Sequence, residues 1–451
     1  MTDTPRGSES DATITPPAEE QTGRDISPAE PQPAKISEQS IPRPQVAFKS
    51  PSAKAAPRRT LRSLVRRLKG YAISIGFGII IAAMMIASIV IVPSLRLFFS
   101  ERMTANGLGM FMVYWIAGMV ILVAVMYAQI IIHEGGHLVC GLASGYRFVS
   151  FRVASLILYR DGSRLRFGRF SIAGTAGQCL LEPPTGRIED ADRMPLGAYF
   201  MGGAAANLTI AAAAAALLAT GIQNTAAAFT ASMFLFTGIV TAAMNGLPIR
   251  VGGMPNDGFN ARIMRRDIEI RRMLWIQLTV NAQYSRGRLL RDMPDEWFAI
   301  PQGADLANHM YTSVALFDVW RQIERRDFAA ADDLLLRLHL REGHMIELYR
   351  LETAADRMFV AVMLQRPLQS IRNIFTDRVR AYVTADARYN ISHALELYAW
   401  ERFVEGDPER AADRAETIRR ALPHHHAGGE ATDCAELLAW METLPDNYLC
   451  N

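Results

Sequence analysis

Cysteine is scarce in this chain of 451 residues. Cys140, Cys179, Cys434 and Cys450 are scattered without close pairs, which excludes a disulfide framework and a cysteine zinc ribbon. Free thiols in a reducing compartment are the reading that remains. Net charge is also small, +3 at pH 7, and gives no reason to expect nucleic acid as a partner. Histidine is sparse too: after His137 none occurs before His309. The most informative absence is that of charge. Residues 71–95, 103–132 and 194–249 hold no charged side chain, and ~20 apolar residues suffice to cross the hydrocarbon core of a bilayer.

The first two uncharged stretches each supply one membrane span, separated by a short polar break around Arg96, Glu101 and Arg102. The third is long enough for two spans, divided at Gly221-Ile222-Gln223-Asn224-Thr225, whose small and polar residues suit a tight turn. Four spans are the simplest count. Small residues such as Ala211–Ala216 let helix backbones approach closely. Arg58, Arg59, Arg62, Arg66, Arg67 and Lys69 precede the first span, whereas the loop after it holds only Arg96 and Arg102 with Glu101 between them. That asymmetry puts the amino terminus in the cytoplasm, and four spans return the carboxyl terminus there. The expectation is an integral, multi-pass protein of a bacterial cell membrane with both termini cytoplasmic.

Either side of this region the composition changes. Residues 1–60 are rich in Pro, Ser, Thr, Glu and Gln and have almost no apolar periodicity; such a segment cannot bury enough apolar surface to offset ordering entropy, so a disordered cytoplasmic tail is expected. It is not a signal peptide, because the apolar run begins far from Met1 and is too long. Residues 61–260 form the expected membrane-embedded domain. Within it, residues 148–172 switch to period two: Phe151, Val153, Ser155, Ile157 and Tyr159, then Asp161-Gly162, then alternation through Phe170. This predicts a small β-hairpin just after the histidine motif described below. Residues 261–451 read as a cytoplasmic helical domain, with helix-period segments at 325–340 and 394–422 and a turn at Glu405-Gly406-Asp407-Pro408. Phe328-x-x-Ala331 and that turn suggest tetratricopeptide-like helical hairpins; without a clean repeat period, an irregular helical domain is the other reading. Such surfaces bind protein partners, and a spacing role is the alternative. His424-His425-His426 reads as a solvated loop after Pro423. The fold class expected is a mainly α membrane protein with a small β element and an appended α-helical domain.

The chemistry concentrates in His133-Glu134-Gly135-Gly136-His137. Residues four apart share a helix face, so His133 and His137 can aim at one metal ion with Glu134 beside them. Imidazole suits zinc, and a neighbouring carboxylate can take a proton from water whose pKa the metal has lowered to about 7. Two histidines and a glutamate next to a bilayer segment are costly unless used. Cys140, one turn beyond His137, reads as a packing residue. With no further histidine before His309, a third ligand within the membrane part must be a carboxylate, and the candidates are Asp161, Glu182, Glu189, Asp190, Asp192 and Asp257. Asp161 sits in a predicted turn and the next four in a charged loop, where solvation is the ordinary explanation. Asp257 differs, since it follows the last span in a Pro- and Gly-rich segment able to turn the chain back towards the membrane. Irregular backbone at that depth is tolerated only where it lines a buried or watery cavity.

These elements resemble the site-2-protease class of intramembrane zinc metalloproteases: His133–His137 at the end of one span, and Asn245-Gly246-Leu247-Pro248 followed by Asp257-Gly258 after another. Gly202-Gly203-Ala204-Ala205-Ala206-Asn207 is similar to the family's glycine-and-asparagine element. The resemblance covers roughly residues 70–260. It implies one zinc per chain held by His133, His137 and Asp257, Glu134 as general base, and Asn207 as a residue that holds the substrate carbonyl or the attacking water. The implied function is hydrolysis of peptide bonds in a membrane-anchored protein or peptide precursor. Two features depart from the family pattern: the spacer between Pro248 and Asp257 is longer, and Gly246 stands where a bulky apolar residue is common. A catalytically silent membrane scaffold whose helical domain binds partners is the competing class, and an intact Glu134 argues against it. A zinc transporter would need further ionisable groups along a path through the membrane.

Overall fold

The computed structural model describes residues 76, 78–172, 175–251 and 253–449. The expected disordered tail, the arginine-rich flank of the first span, the start of that span at Tyr71 and Cys450 lie outside these residues. The described residues belong to one compact unit. They are mainly helical, with one four-stranded antiparallel sheet and one two-stranded ribbon among them.

Among the described residues three helices are long and apolar enough to cross a membrane: Gly109–Ala143, Leu196–Ala219 and Thr225–Gly246. The first is the apolar part of α2 (Pro93–Ala143), which at ~1.5 Å per residue is far longer than a bilayer core is thick. The others are α3 (Leu196–Ala219) and α4 (Thr225–Gly246), joined by a turn in which Gly221 takes a positive φ of 75° and Asn224 caps α4 through Ala227 N at 2.9 Å. That turn falls where the small polar residues predict it.

The predicted polar break between the first two spans is corrected. Helix α1 (Gly78–Ile91) meets α2 at a 95° bend at Val92, and the chain is helical through Arg96, Glu101 and Arg102. Pro93 is the cause: it has no N–H to continue α1, and its fixed φ suits the first position of a new helix. Met85, Val92 and Leu95 at this bend pack with Leu122 and Val125 of α2 and Phe229 and Met233 of α4.

The predicted hairpin is also corrected, because it is half of a larger sheet. Strands β1 (Arg147–Val153), β2 (Leu156–Asp161), β3 (Arg164–Arg169) and β4 (Gly177–Glu182) are ordered β3-β2-β1-β4. The segment from Phe151 to Tyr159 alternates as one strand would, but Ala154 takes φ 52° and turns the chain between β1 and β2. Alternation survives a two-residue turn unchanged, which is why periodicity alone concealed it. Asp161-Gly162 does begin the β2–β3 turn, with Gly162 at φ 59°. One face of the sheet carries Leu156, Leu165 and Phe167 exposed; the other carries buried Ser150, Arg152 and Ile157.

After α4 a ribbon of β5 (Arg250–Val251) and β6 (Met254–Pro255), turned at Gly253 (φ 91°), leads into α5 (Asp257–Met264). Next, α6 (Ile268–Ser285) packs with β4 and α7 (His309–Glu324), and Trp275, Leu181 and Val314 share one core with Tyr199 and Phe200 of α3. The remaining helices are α8 (Phe328–His339), α9 (Glu347–Met363), α10 (Leu368–Ile374), α11 (Asp377–Asp386), α12 (Ile391–Ala399), α13 (Pro408–Ala421) and α14 (Gly428–Glu442), built around a second core. Phe328 and Ala331 are buried in that core, and Asp327 and Asp407 cap α8 and α13. These helices run from 7 to 17 residues and follow no fixed period. The His424–His426 expectation needs correction: only His424 is exposed, His425 bonds Glu430 at 2.9 Å, and His426 packs 4.1 Å from the Phe170 ring. Helix α14 presses this loop against the sheet, and burial pushes the His426 imidazole down to about 3.

Candidate metal centre

Where α2 meets α3 the two backbones touch. A side chain at Gly136 would strike the carbonyl of Gly202, and one at Gly202 would strike the carbonyl of Gly136 and Cys140 Cβ. Any residue larger than glycine would separate the helices. Gly203, one residue on, lies directly against the rings of His133 and His137. The glycines of both motifs therefore let α3 form the wall of the histidine site. Cys140 packs at this contact, as expected of it.

Each imidazole is oriented from behind. His133 Nδ1 lies 2.8 Å from Asn207 Oδ1, and His137 Nδ1 lies 2.7 Å from the Tyr199 carbonyl. Both partners are acceptors, so each histidine carries its proton on Nδ1 and presents an Nε2 lone pair. Asn207, fully buried, donates in turn to Gln129 Oε1 at 2.6 Å, and Gln129 donates to Phe234 O at 3.0 Å on α4. This chain of buried amides ties the three long helices together behind His133. Asn207 has both side-chain groups engaged, so it acts here as a positioning residue.

Asp257 completes the cluster. His133 Nε2 is 3.1 Å from Asp257 Oδ2, His137 Nε2 is 3.3 Å from it, and the two Nε2 atoms are 3.1 Å apart. Among the described residues this is the one group of three metal-type ligands close enough to share an ion. The other five candidate carboxylates, Asp161, Glu182, Glu189, Asp190 and Asp192, are not brought there. Three ligand atoms at these separations match one face of a tetrahedron with ~2.0–2.1 Å bonds, whose edges are about 3.3 Å, and leave a fourth vertex free.

A long spacer and a close helix contact deliver Asp257 to the histidines. A side chain at Gly258 would collide with the carbonyl of residue 246, so glycine at 258 lets α5 start against the end of α4, while Gly246 itself faces Ala204 of α3. The longer spacer is the β5–β6 ribbon. Asn256 then staples the return: its Nδ2 donates to Met244 O and Leu247 O, both at 2.5 Å, and its Oδ1 accepts from Phe259 N at 2.9 Å as the cap of α5. No family model, curated protein or solved structure matches the chain.

Glu134 stands within electrostatic reach of His133, His137 and Asp257. Its carboxylate lies against Gly177, the first residue of β4, where a Cβ would strike Oε1 and Cγ. Arg152, fully buried, fixes the approach to that residue by donating to Thr175 Oγ1, to Ala154 O at 2.7 Å and to Gly177 O at 3.3 Å. Sequence reasoning missed Gln129, Arg152, Gly177 and Asn256. Gln129 and Asn256 left a signal: one is a lone amide in an apolar helix four residues before His133, the other a helix-cap residue directly before the candidate ligand.

Proposed function

We propose that this chain is a membrane-embedded zinc metalloprotease, acting on a membrane-anchored protein or peptide precursor in the manner of the site-2-protease class. The observation that carries the reading is the triad of His133, His137 and Asp257 ligand atoms, all within 3.3 Å of one another, with Glu134 beside it. Two neutral imidazoles and one carboxylate with a vertex left open are the donor set and geometry of a hydrolytic zinc site.

When bound, zinc supplies a Lewis acid that acidifies water and polarises a carbonyl. Glu134 takes the proton of the attacking water and delivers it to the leaving nitrogen. Asn207 and the Tyr199 carbonyl hold the imidazoles, and Gly203 leaves them room. A substrate helix must open before a peptide carbonyl becomes available, and an end strand of the sheet offers backbone groups to the opened segment. Strand β4 rather than β3 fits this role, since β4 is the end strand that passes Glu134 at Gly177.

The proposed topology has four spans, the first being α1 with the start of α2 (Pro93–Glu101), bent at Val92, with both termini in the cytoplasm and the helices after α5 available to a protein partner. Comparison of the purified wild type with Glu134→Gln tests the reading. Equal zinc content with loss of cleavage of membrane-anchored substrates is expected. A wild type that binds no zinc removes the proposal.

A further inference from the structure

The sheet has a second end strand that the hydrolytic site does not use. Strand β3 lies at the edge opposite β4, and only half of its backbone is engaged. Phe170 N donates to Ser155 O at 3.1 Å, and antiparallel pairing repeats such a bond at every second residue. Gly168, Arg166 and Arg164 therefore bond Ile157, Tyr159 and Asp161 of β2. Leu165, Phe167 and Arg169 turn their N–H and C=O groups away from the sheet, and among the described residues none of these groups has a hydrogen-bond partner.

This edge is neither bulged nor covered, the usual ways of closing one. Its six residues pair with β2 without a register shift, and none of them is buried. The Phe167 ring is 83% exposed and Leu165 57% exposed. Arginines at 164, 166 and 169 oppose pairing with a second copy of the chain, which would bring the arginines of both copies together. The same charges attract a segment of opposite sign.

Beside the edge lies a pocket of about 330 Å³, closed on its far side by the turn after α11, by α12 and by the end of α13. Phe167 and Arg169 line it from the strand, Arg388 and His424 from the helices. No aspartate or glutamate lines it, although acidic and basic residues nearly balance over the chain, 45 against 48. Arg166 is paired with Asp161 and His425 with Glu430. Arg388 lies over the Tyr389 ring, and neither it nor Arg169 has a carboxylate partner among the described residues.

Strand pairing dictates the pattern of an occupant. Residues opposite one another share a face, so Tyr159 and Arg166 point to one side of the sheet and Leu158 and Phe167 to the other. A strand added along β3 would set alternate residues beside Leu165 and Phe167 on one face and beside Arg164 and Arg166 on the other. Apolar side chains suit the first row and carboxylates the second.

We propose that the β3 edge docks an extended protein segment in which apolar and acidic residues alternate, added to the sheet as a further strand, its carboxylates beside Arg166 and Arg388. The surface is at the opposite edge from the strand beside Glu134 and does not depend on the hydrolytic reading. Fluorescence anisotropy with the full chain in detergent tests it, using two labelled peptides matched to the six residues of β3. One alternates glutamate with valine, the other lysine with valine. Saturable binding of the first, weakened by salt, and no binding of the second are expected. Phe167→Ala removes the exposed ring; Phe167→Pro also removes an N–H that β2 does not use, and should bind about 3- to 10-fold more weakly than Phe167→Ala. Arg388→Gln should weaken binding about threefold, and thermal unfolding confirms that each variant is folded. Failure of the wild type to bind the glutamate peptide overturns the proposal, as does equal binding of the lysine peptide. Equal affinity of folded Phe167→Pro and Phe167→Ala overturns it too, and so does self-association of the chain in place of peptide binding.

Discussion

Asn207 Oδ1 lies 2.8 Å from His133 Nδ1, and the amide nitrogen of the same side chain is engaged by Gln129, four residues before His133 on the same helix. The pair fixes one imidazole tautomer from a second helix, inside a buried helix contact. Asn207→Ala should therefore leave all three metal ligands in place and yet lower metal affinity by about 10- to 100-fold, the usual effect of losing a group that orients a ligating histidine. Competition against a chromophoric chelator measures it. An unchanged affinity would mean that His133 is oriented by packing alone.

The two central glycines of the histidine motif are not equivalent. Nothing lies within 4 Å of a side chain built at Gly135, whereas one at Gly136 would run into the backbone of Gly202 and into Ala206. Gly135→Ala is expected to keep the wild-type metal content and to gain helix stability of about 1 kcal/mol from propensity. Gly136→Ala must push α2 and α3 apart and should lose metal, as read by metal analysis of the purified proteins. Equal metal content in the two variants would contradict the close helix crossing.

Much of this centre was legible because it obeys periodicity. His133 and His137 share a helix face by spacing, and the scarcity of histidine narrowed the third ligand to a few carboxylates. Uncharged length marked the apolar helices, and Gly221 to Thr225 marked the turn between two of them. What remained hidden depends on partners distant in sequence. Gly177 carries no local mark of its approach to Glu134, and Arg152 looks like one more basic residue of an exposed hairpin although it is fully buried. Pro93 was visible, but the charges after it drew the break a few residues too far along the chain. His426 was read as solvated because polarity suggests exposure, and only its packing on Phe170 reverses that.

Gly177 offers a test of Glu134 that leaves Glu134 itself intact. A methyl group there would strike the carboxylate, and the flexible end of the glutamate would have to turn away. In Gly177→Ala the three ligands His133, His137 and Asp257 are untouched, so metal content should match the wild type while cleavage falls by more than about tenfold, the scale of a misplaced general base. Retained cleavage would show that the carboxylate works from another rotamer.

Asp433, on α14, is fully buried with no hydrogen-bond partner for either oxygen. Burial, with the nearby charge of Glu324, pushes its carboxyl up from 3.8 to about 8, and burial pushes Glu324 from 4.5 to about 7. Between roughly pH 4 and pH 8 the folded chain therefore keeps protons that the unfolded chain has already released. Stability changes with pH in proportion to protons bound unfolded minus protons bound folded. That difference is negative across this window, so the folded state should lose stability as pH rises from about 5 to 8. Asp433→Asn removes one such group without changing shape and should flatten the profile. It should also raise the apparent unfolding midpoint at pH 8, because a neutral amide carries none of the proton-linked cost of burying that carboxyl. Thermal unfolding in detergent at a series of pH values checks both statements, and a wild type more stable at pH 8 than at pH 5 would refute the sign.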